Sequence, residues 1–506
     1  MSLPAGDLDQ LLDRVILEPA RRMFVNRNLR MENIRLIGFD MDYTLLPYTK
    51  RSMEELSFRL TAEKLVAKHG YPEAILSLTY DPDFVVRGLV VDKELGNIFK
   101  MDTFGHVGRV YHGRRMLSRD ERKAIYQRQK VSIDSPRYHW IDTLFALPEG
   151  VLYAAIVDYL DAGSKAGSKA GSKAQEQKTD YWALFDLIRT SIDEAHRDES
   201  LKSVVKASPE KFVEPDPHLP LALHKLRSSG KRLVVLTNSL WDYTSRMMSF
   251  LLDGKLPEYP SWMNYFDIVL VGADKPRFFN EVREFFEVDR KTGVLSTHPA
   301  TRFERQHVYQ GGSLKRLDEL LGVNGDEVLY VGDHIYGDII RSKKDTLWRT
   351  ALILSELEDE LRLGPSLAIH NAELAELEER GTRLEDEITD LRLKITAIEQ
   401  ALSFEGTTRD VGEMTRTRRA LRLALDQRRR ALRDVIGRRD GLEMTVDRAY
   451  NAYWGSVFKE GNEPSRFGRQ VEYYACLYTS RVSNFLYYSP HQYFRSPRHW
   501  MPHEKQ

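Results

Sequence analysis

The chain has 506 residues, 42% of them hydrophobic, which is long enough for one large α/β core and at least one further domain. Lys+Arg and Asp+Glu each number 75, so the formal charge is zero and no global field draws in a nucleic acid polymer or an anionic membrane. The single cysteine, Cys476, excludes an intramolecular disulfide and a thiolate metal cluster and fits a reducing compartment; with no membrane-length apolar run and no signal peptide in MSLPAGDLDQLLDR, a cytoplasmic location is expected.

In chain order, Leu8, Leu11, Leu12, Val15 and Ile16 fall near helical spacing, so residues 7–30 are predicted as a helical lead-in broken at Pro19. Ile34, Leu36, Ile37 and Phe39 then form a short apolar run, the pattern of a buried parallel strand, and Asp40 and Asp42 follow at its carboxyl end. A bare DxD is usually only a polar strand end. Residues 52–69 predict an amphipathic helix stopped at Gly70-Tyr71-Pro72, and 80–118 predict strands of a β-hairpin insertion. Far more residues separate Thr44 from the next strand signal at Arg232 than one crossover needs, so an inserted domain is implied. Its GSKAGSKAGSKA repeat, 163–174, has no large apolar residue and is expected to be an exposed flexible loop. From Tyr181 a helix is predicted, with Arg189, Asp193 and His196 on one face; by spacing alone they are ordinary surface polar residues.

A second strand, KRLVVL, ends in Thr237-Asn238-Ser239, groups suited to phosphate oxygens. A third, FDIVLV, leads to Lys275, a point positive charge, and a fourth, DEVLYVG, to Asp333 and Asp338. Four strands that each release reactive residues at the carboxyl end predict a doubly wound parallel sheet with one active edge. Together, DMDYT, LTN, Lys275 and GDHIYGD resemble the motif set of the haloacid dehalogenase superfamily. GFDMDYTL, DTLFALPE, KFVEPDPHLPLAL, VYQGGS, GDHIYGDIIRSKK and the tail RFGRQVEYYACLYTSRVSNFLYY resemble the cytosolic purine 5'-nucleotidases. The likeness covers most of 30–350 and 450–505. Residues 366–446 fall outside it. There Leu374, Leu377, Leu384, Ile388, Leu391, Ile395, Ile398 and Leu402 keep 3/4 spacing interrupted by Gly381, and an acidic first half faces an arginine-rich second half, which predicts an antiparallel helical hairpin turning near 403–412. The expected division is a haloacid dehalogenase-like, Rossmann-like core in 1–60, 205–365 and 447–506, a cap in 61–204 and the hairpin in 366–446.

The resemblance implies Mg²⁺-dependent hydrolysis of purine nucleoside 5'-monophosphates, GMP and IMP foremost, with phosphotransfer to nucleosides as a side activity. It makes Asp40 the nucleophile and Asp42 the general acid and base. Mg²⁺ would be held by Asp40, the Asp42 carbonyl and Asp333, with Asp338 behind them, and Thr237, Asn238 and Lys275 would bind phosphate. Phe145, Arg189, Asp193, His196 and Lys202 match the substrate-binding positions: Phe145 and His196 would sandwich the purine while Arg189 and Asp193 read its edge. Ala146 stands where a vertebrate relative has asparagine. Tyr336, Lys344 and Gln470 fit a nucleotide effector site, but Asp142, Ser132 and Tyr473 stand where its asparagine and two arginines are expected, and the acidic tail of those relatives is missing. A homo-oligomer, a tetramer by resemblance, is expected. The alternatives are a phosphatase of the same fold acting on another small ester, and a coiled-coil scaffold that retains a nucleotide-binding domain.

Overall fold

The computed structural model describes residues 17–128, 131–132, 135–169, 179–334, 347–403 and 410–504. They cluster into two compact units, 1–358 with 457–506, and 359–456. In the first unit the strands are β1 (Phe24–Val25), β2 (Leu29–Arg30) and β3 (Leu36–Phe39), then β4 (Val90–Asp92), β5 (Asn97–Met101), β6 (Val107–His112), β7 (Arg115–Met116) and β8 (Tyr138–Trp140). They continue with β9 (Arg232–Leu236), β10 (Ile268–Val271), β11 (Phe285–Val288), β12 (Leu295–Pro299), β13 (Val308–Gly311), β14 (Val328–Gly332) and β15 (Arg349–Ile353). β16 (Lys459–Glu460), β17 (Glu463–Pro464), β18 (Leu477–Thr479) and β19 (Tyr493–Phe494) follow.

The main sheet has ten strands in the order β1-β18-β15-β14-β3-β9-β10-β13-β11-β12. From β18 to β13 all neighbours are parallel. β1, β11 and β12 pair antiparallel, so the sheet is mixed where the sequence predicts a parallel one. The short Val288–Leu295 connection explains one edge, because a parallel neighbour needs a crossover of a dozen residues or more. The interior strands bury every residue of β3, β10 and β14, which is why they read as unbroken apolar runs.

The chain leaves β3 toward β9, β10 and β13 and returns on the other flank through β14 and β15, so the sheet reverses direction beside β3. The carboxyl ends at such a reversal border a crevice. β14, β3, β9 and β10 are consecutive neighbours, and Asp333, Asp40, Thr237 and Lys275 therefore leave the sheet side by side. Gly38 in β3 pairs with Tyr330, and a Cβ there would lie 3.1 Å from the Tyr330 ring, a close contact that the ring would have to yield to by a few tenths of an ångström. The turn after Asp40 holds Tyr43 at φ 56, a left-handed conformation costly for a side chain with a Cβ.

The segment between β3 and β9 forms a separate five-stranded sheet, β7-β6-β5-β4-β8, with every pair antiparallel, and the helices Leu147–Lys169, Tyr181–Arg197 and Ser200–Ala207. Lys50–His69 closes on Gly70 in the left-handed conformation. Two expectations are corrected. The lead-in is not helical over its described part: Pro19–Arg21 is a single 3₁₀ turn, and β1 and β2 pair instead with β18 and β19 from the other end of the chain. Positions 7–16 lie outside the described residues. The GSKA repeat is not a loop through Lys169, because the helix that starts at Leu147, buried as far as Val157, runs on into it. Lysine and alanine are good helix formers, and an existing helix extends more readily than a new one nucleates. Residues 170–174 lie outside the described residues.

The second unit holds the greater part of two long helices, Glu356–Ser403 and Val411–Tyr450. Leu377, Leu384 and Val435 form one buried cluster, and Ile388, Ile395 and Leu425 a second. Ion pairs Glu373–Arg438, Glu387–Arg428 and Glu399–Arg422 join acids of the first helix to arginines of the second in opposite numerical order, so the helices run antiparallel.

Candidate active site at the carboxyl edge of the sheet

Asp40 is 8% exposed and Asp333 4% exposed, both just past their strands. Burial of two neighbouring carboxylates is costly unless cations or donors offset it. Lys275 supplies one cation: its Nζ lies 2.8 Å from Asp40 Oδ1 and donates to the Tyr330 hydroxyl at 2.9 Å. Gly38 thus makes space for the ring whose hydroxyl steadies the lysine. Thr44 Oγ1 donates to Asp333 Oδ1 at 3.5 Å.

Asp42 accepts from Tyr48 at 2.6 Å and from Ser239 at 2.8 Å, one bond on each oxygen. The Tyr48 and Tyr243 hydroxyls are 2.6 Å apart, and burial, followed by the charge of Asp42, raises the pKa of Tyr48, so it stays a donor. Thr237 is fully buried and its Oγ1 accepts from the Ser239 backbone N–H at 3.0 Å. Asn238 exchanges two hydrogen bonds with the Lys275 backbone, accepting at 2.6 Å and donating at 3.1 Å. Its amide therefore fixes the lysine loop, and it also borders the cleft beside Asp42.

That cleft, about 200 Å³, is lined by Asp42, Tyr48, Met53, Phe145, His196, Leu201, Lys202, Asn238, Ser239 and Tyr243. It brings Phe145, His196 and Lys202 of the predicted substrate residues to the same opening as Asp42. The expected purine sandwich is corrected. Phe145 and His196 meet edge to face, with centroids 5.2 Å apart and planes at 86°, which leaves no parallel slot between them. Phe145 is also wedged against Tyr43 at 4.7 Å. Burial, with Lys202 and Arg189 nearby, lowers the His196 pKa to about 4, so the ring is neutral at physiological pH.

Arg189 and Asp193 do not line this cleft. Arg189 Nη1 donates to Glu149 at 2.8 Å and its Nε lies 3.6 Å from Asp193. Glu149 is 2% exposed; burial raises its pKa while Arg189 opposes the shift. The sequence does not mark Glu149, although it lies within DTLFALPE, nor Tyr48 and Tyr243, whose roles exist only across tertiary contacts; Ser239, expected at phosphate oxygens, instead donates to Asp42. Tyr336, Asp338 and Lys344 lie outside the described residues; Gln470 is half-buried on helix Arg466–Tyr474, with Tyr473 exposed at the end of that helix.

The donor set suits a hard divalent cation. Among the described residues no three acids, histidines or cysteines group as a metal cluster. Asp40, Asp333 and a backbone carbonyl would make an all-oxygen set of the kind Mg²⁺ accepts, since that ion keeps several waters.

Acids, a lysine and small hydroxyls gathered where a parallel sheet reverses define an α/β enzyme that handles a phosphate ester. The chain belongs to the 5' nucleotidase family, whose model matches residues 23–506, and is thereby a phosphoric monoester hydrolase. It is 29% identical over 489 residues, 95% of this chain and 74% of the other, to a 5'-nucleotidase domain-containing protein of Dictyostelium discoideum. Among solved structures it is similar to a predicted phosphoglycolate phosphatase from Haemophilus somnus 129PT, at 13% identity and a TM-score of 0.26, over 63% of this chain and 85% of that one. Among the described residues no helix is long and apolar enough to cross a membrane.

Proposed function

We propose that the protein hydrolyses purine nucleoside 5'-monophosphates, with GMP and IMP preferred to AMP, through an aspartyl-phosphate on Asp40. The observation that carries this reading is the adjacency of Asp333, Asp40, Thr237 and Lys275 at consecutive strand ends, with Asp42 opening onto a cleft shared with Phe145, His196 and Lys202. An Asp40 oxygen bonds to phosphorus as the bond from phosphorus to the ribose 5'-oxygen breaks, and Asp42 protonates that oxygen. Asp42 then takes the proton of the water that cleaves the acyl phosphate. Tyr48 and Ser239 hold Asp42 in line, while Lys275 and the hydroxyl of Thr237 offset charge on the phosphoryl oxygens. A Mg²⁺ ion held by Asp40, the Asp42 carbonyl and Asp333 would supply further neutralisation of the dianion.

Phe145, packed edge-on against His196, offers one aromatic face to the base instead of two. Arg189 and Asp193 lie outside the cleft lining, so this reading requires the base to extend past His196 to reach them; there a 6-oxopurine presents an acceptor at O6 and a donor at N1 that match the pair, and adenine mismatches both. The same reading divides the chain into core, cap and hairpin as predicted, includes a nucleotide effector near Gln470 and a homo-oligomer, and retains phosphotransfer as a side reaction. The test is a panel of GMP, IMP, AMP and simple sugar phosphates with and without Mg²⁺, using wild type, Asp40→Asn and Asp193→Asn. Asp40→Asn is expected to bind GMP without turning it over, and Asp193→Asn to narrow the gap between GMP and AMP. Near-normal turnover by Asp40→Asn, or equal use of AMP and GMP by wild type, overturns the proposal.

A further inference from the structure

Arg87 is 1% exposed, an unusual place for a guanidinium away from substrate. Its Nε and Nη2 donate to the two oxygens of Glu356, each at 2.6 Å, and its Nη1 donates to the backbone carbonyl of Asp333 at 2.7 Å. Phe467 covers the guanidinium, its ring centroid 5.1 Å away. Four distant parts of the chain meet here: the loop before β4, the end of β14, the first residue of helix Glu356–Ser403, and the helix that carries Gln470. Gly88 is part of the fit, since a Cβ there would come within 2.5 Å of Phe467. A fully buried charge is retained at a cost in desolvation that an apolar residue would avoid, and the fork geometry fixes direction as well as distance.

We propose that Arg87, clamped by Glu356, is a positioning residue for the hydrolase: by holding the Asp333 carbonyl it fixes the peptide plane after Asp333, and so the backbone from which the Asp333 carboxylate projects. Arg87 touches neither substrate nor the reacting atoms. Thr44 sets one oxygen of the same carboxylate from the side chain, and Arg87 sets its backbone. The inference rests on the reading of Asp333 as a Mg²⁺ ligand.

The test compares wild type, Arg87→Lys and the double variant Arg87→Met/Glu356→Met. The double variant removes both charges together, so no lone charge is left buried. Mg²⁺ binding is measured by isothermal titration calorimetry without substrate, alongside thermal melting, kcat and KM. Removing groups that orient metal ligands typically weakens binding by ~10–100-fold, and that loss is expected in the double variant, with GMP KM at saturating Mg²⁺ within about threefold of wild type. Arg87→Lys keeps the charge but loses the fork, and is expected to weaken Mg²⁺ by about tenfold at the lower end of that range; it is the deciding variant where the double variant melts early. Wild-type Mg²⁺ affinity in a folded variant lacking the fork overturns the clamp. A wild type that binds no Mg²⁺ and hydrolyses GMP without it overturns instead the metal reading beneath it, a result distinct from wild type and variant binding Mg²⁺ alike.

Discussion

Replacing Lys275 by methionine keeps most of the side chain's volume and removes its charge. Lys275 Nζ and Asp40 Oδ1 are 2.8 Å apart, with side chains 5% and 12% exposed, so the pair is poorly screened. At an effective dielectric constant of about 20 its gross attraction is about 6 kcal/mol. Much of that is offset by desolvation, but removing one member of a buried pair still costs about 3–5 kcal/mol, because the other charge is left alone. In the proposed reaction the lysine would meet charge that grows on the phosphoryl oxygens. Losing one preorganised donor of this kind costs ~10²–10³ in kcat, or about 2.7–4 kcal/mol. Lys275→Met is therefore expected to lower kcat for GMP by ~10²–10³ and to melt earlier than wild type. Tyr330→Phe, which removes only the hydroxyl that accepts from Lys275 at 2.9 Å, is expected to lose less than about tenfold, in line with the ~1 kcal/mol net value of a single hydrogen bond. The assay is phosphate release at saturating GMP and Mg²⁺, with melting curves by circular dichroism. A folded Lys275→Met with kcat within about threefold of wild type, far short of the donor-loss estimate, would refute the reasoning.

Glu54 is 1% exposed and its Oε1 lacks a hydrogen-bond partner; burial pushes its pKa from 4.5 up to about 7. The folded state then holds the proton more tightly than the unfolded one, so this group's contribution is full below pH 4.5 and is lost as pH rises through about 7, to the extent of about 3 kcal/mol. Glu54→Gln keeps the shape without the charge and is expected to raise Tm over wild type at pH 8 and to change it little at pH 5; an unchanged or lower Tm at pH 8 contradicts this. For assembly, light scattering of the full chain is expected to show a homo-oligomer, and deletion of 370–446 reports whether the two antiparallel helices hold it together. A monodisperse monomer at micromolar concentration overturns the assembly claim.

The adjacency of Asp40, Thr237, Lys275 and Asp333 in the candidate site was legible in the sequence because each group comes after an unbroken apolar run. Phe39 then Asp40, Leu236 then Thr237, and Gly332 then Asp333 each mark where a buried strand opens, Lys275 comes soon after the run of β10, and the side-by-side order of these four strands brings the four local signals together. The antiparallel pairing of the two long helices was legible for a similar reason: 3/4 spacing and opposite charge are local and repetitive. The base end was not. Phe145 and His196 carry no periodic mark of their relative angle, and Arg189 and Asp193 have the spacing of a surface pair whether or not a buried Glu149 lies across from them. Arg87 and Glu356 stand 269 positions apart, so their pairing is a product of tertiary structure alone. The lead-in differs only over its described part, where Phe24–Val25 and Leu29–Arg30 are taken up as short strands by the chain's own far end. The helical spacing itself belongs to 8–16, outside the described residues.

The extent of base discrimination depends on what adenine would leave unpaired. A site that rejects a mismatched base by ~10⁴ or more does so because its buried polar groups have no other partner. Arg189 already has Glu149 at 2.8 Å, so an adenine amino group beside it strands no buried charge. Asp193 has half its side chain exposed, so water can replace the missing N1 donor. Each mismatch then costs little more than one solvent-compensated hydrogen bond, about 1 kcal/mol, and two of them give a preference for GMP over AMP of ~10–10². A measured kcat/KM ratio inside that range fits the cap as it stands. A ratio near ~10⁴ would require the substrate to dry out Asp193 and draw Arg189 away from Glu149, and Glu149→Gln would then shift the ratio, because it weakens the hold that the base has to break.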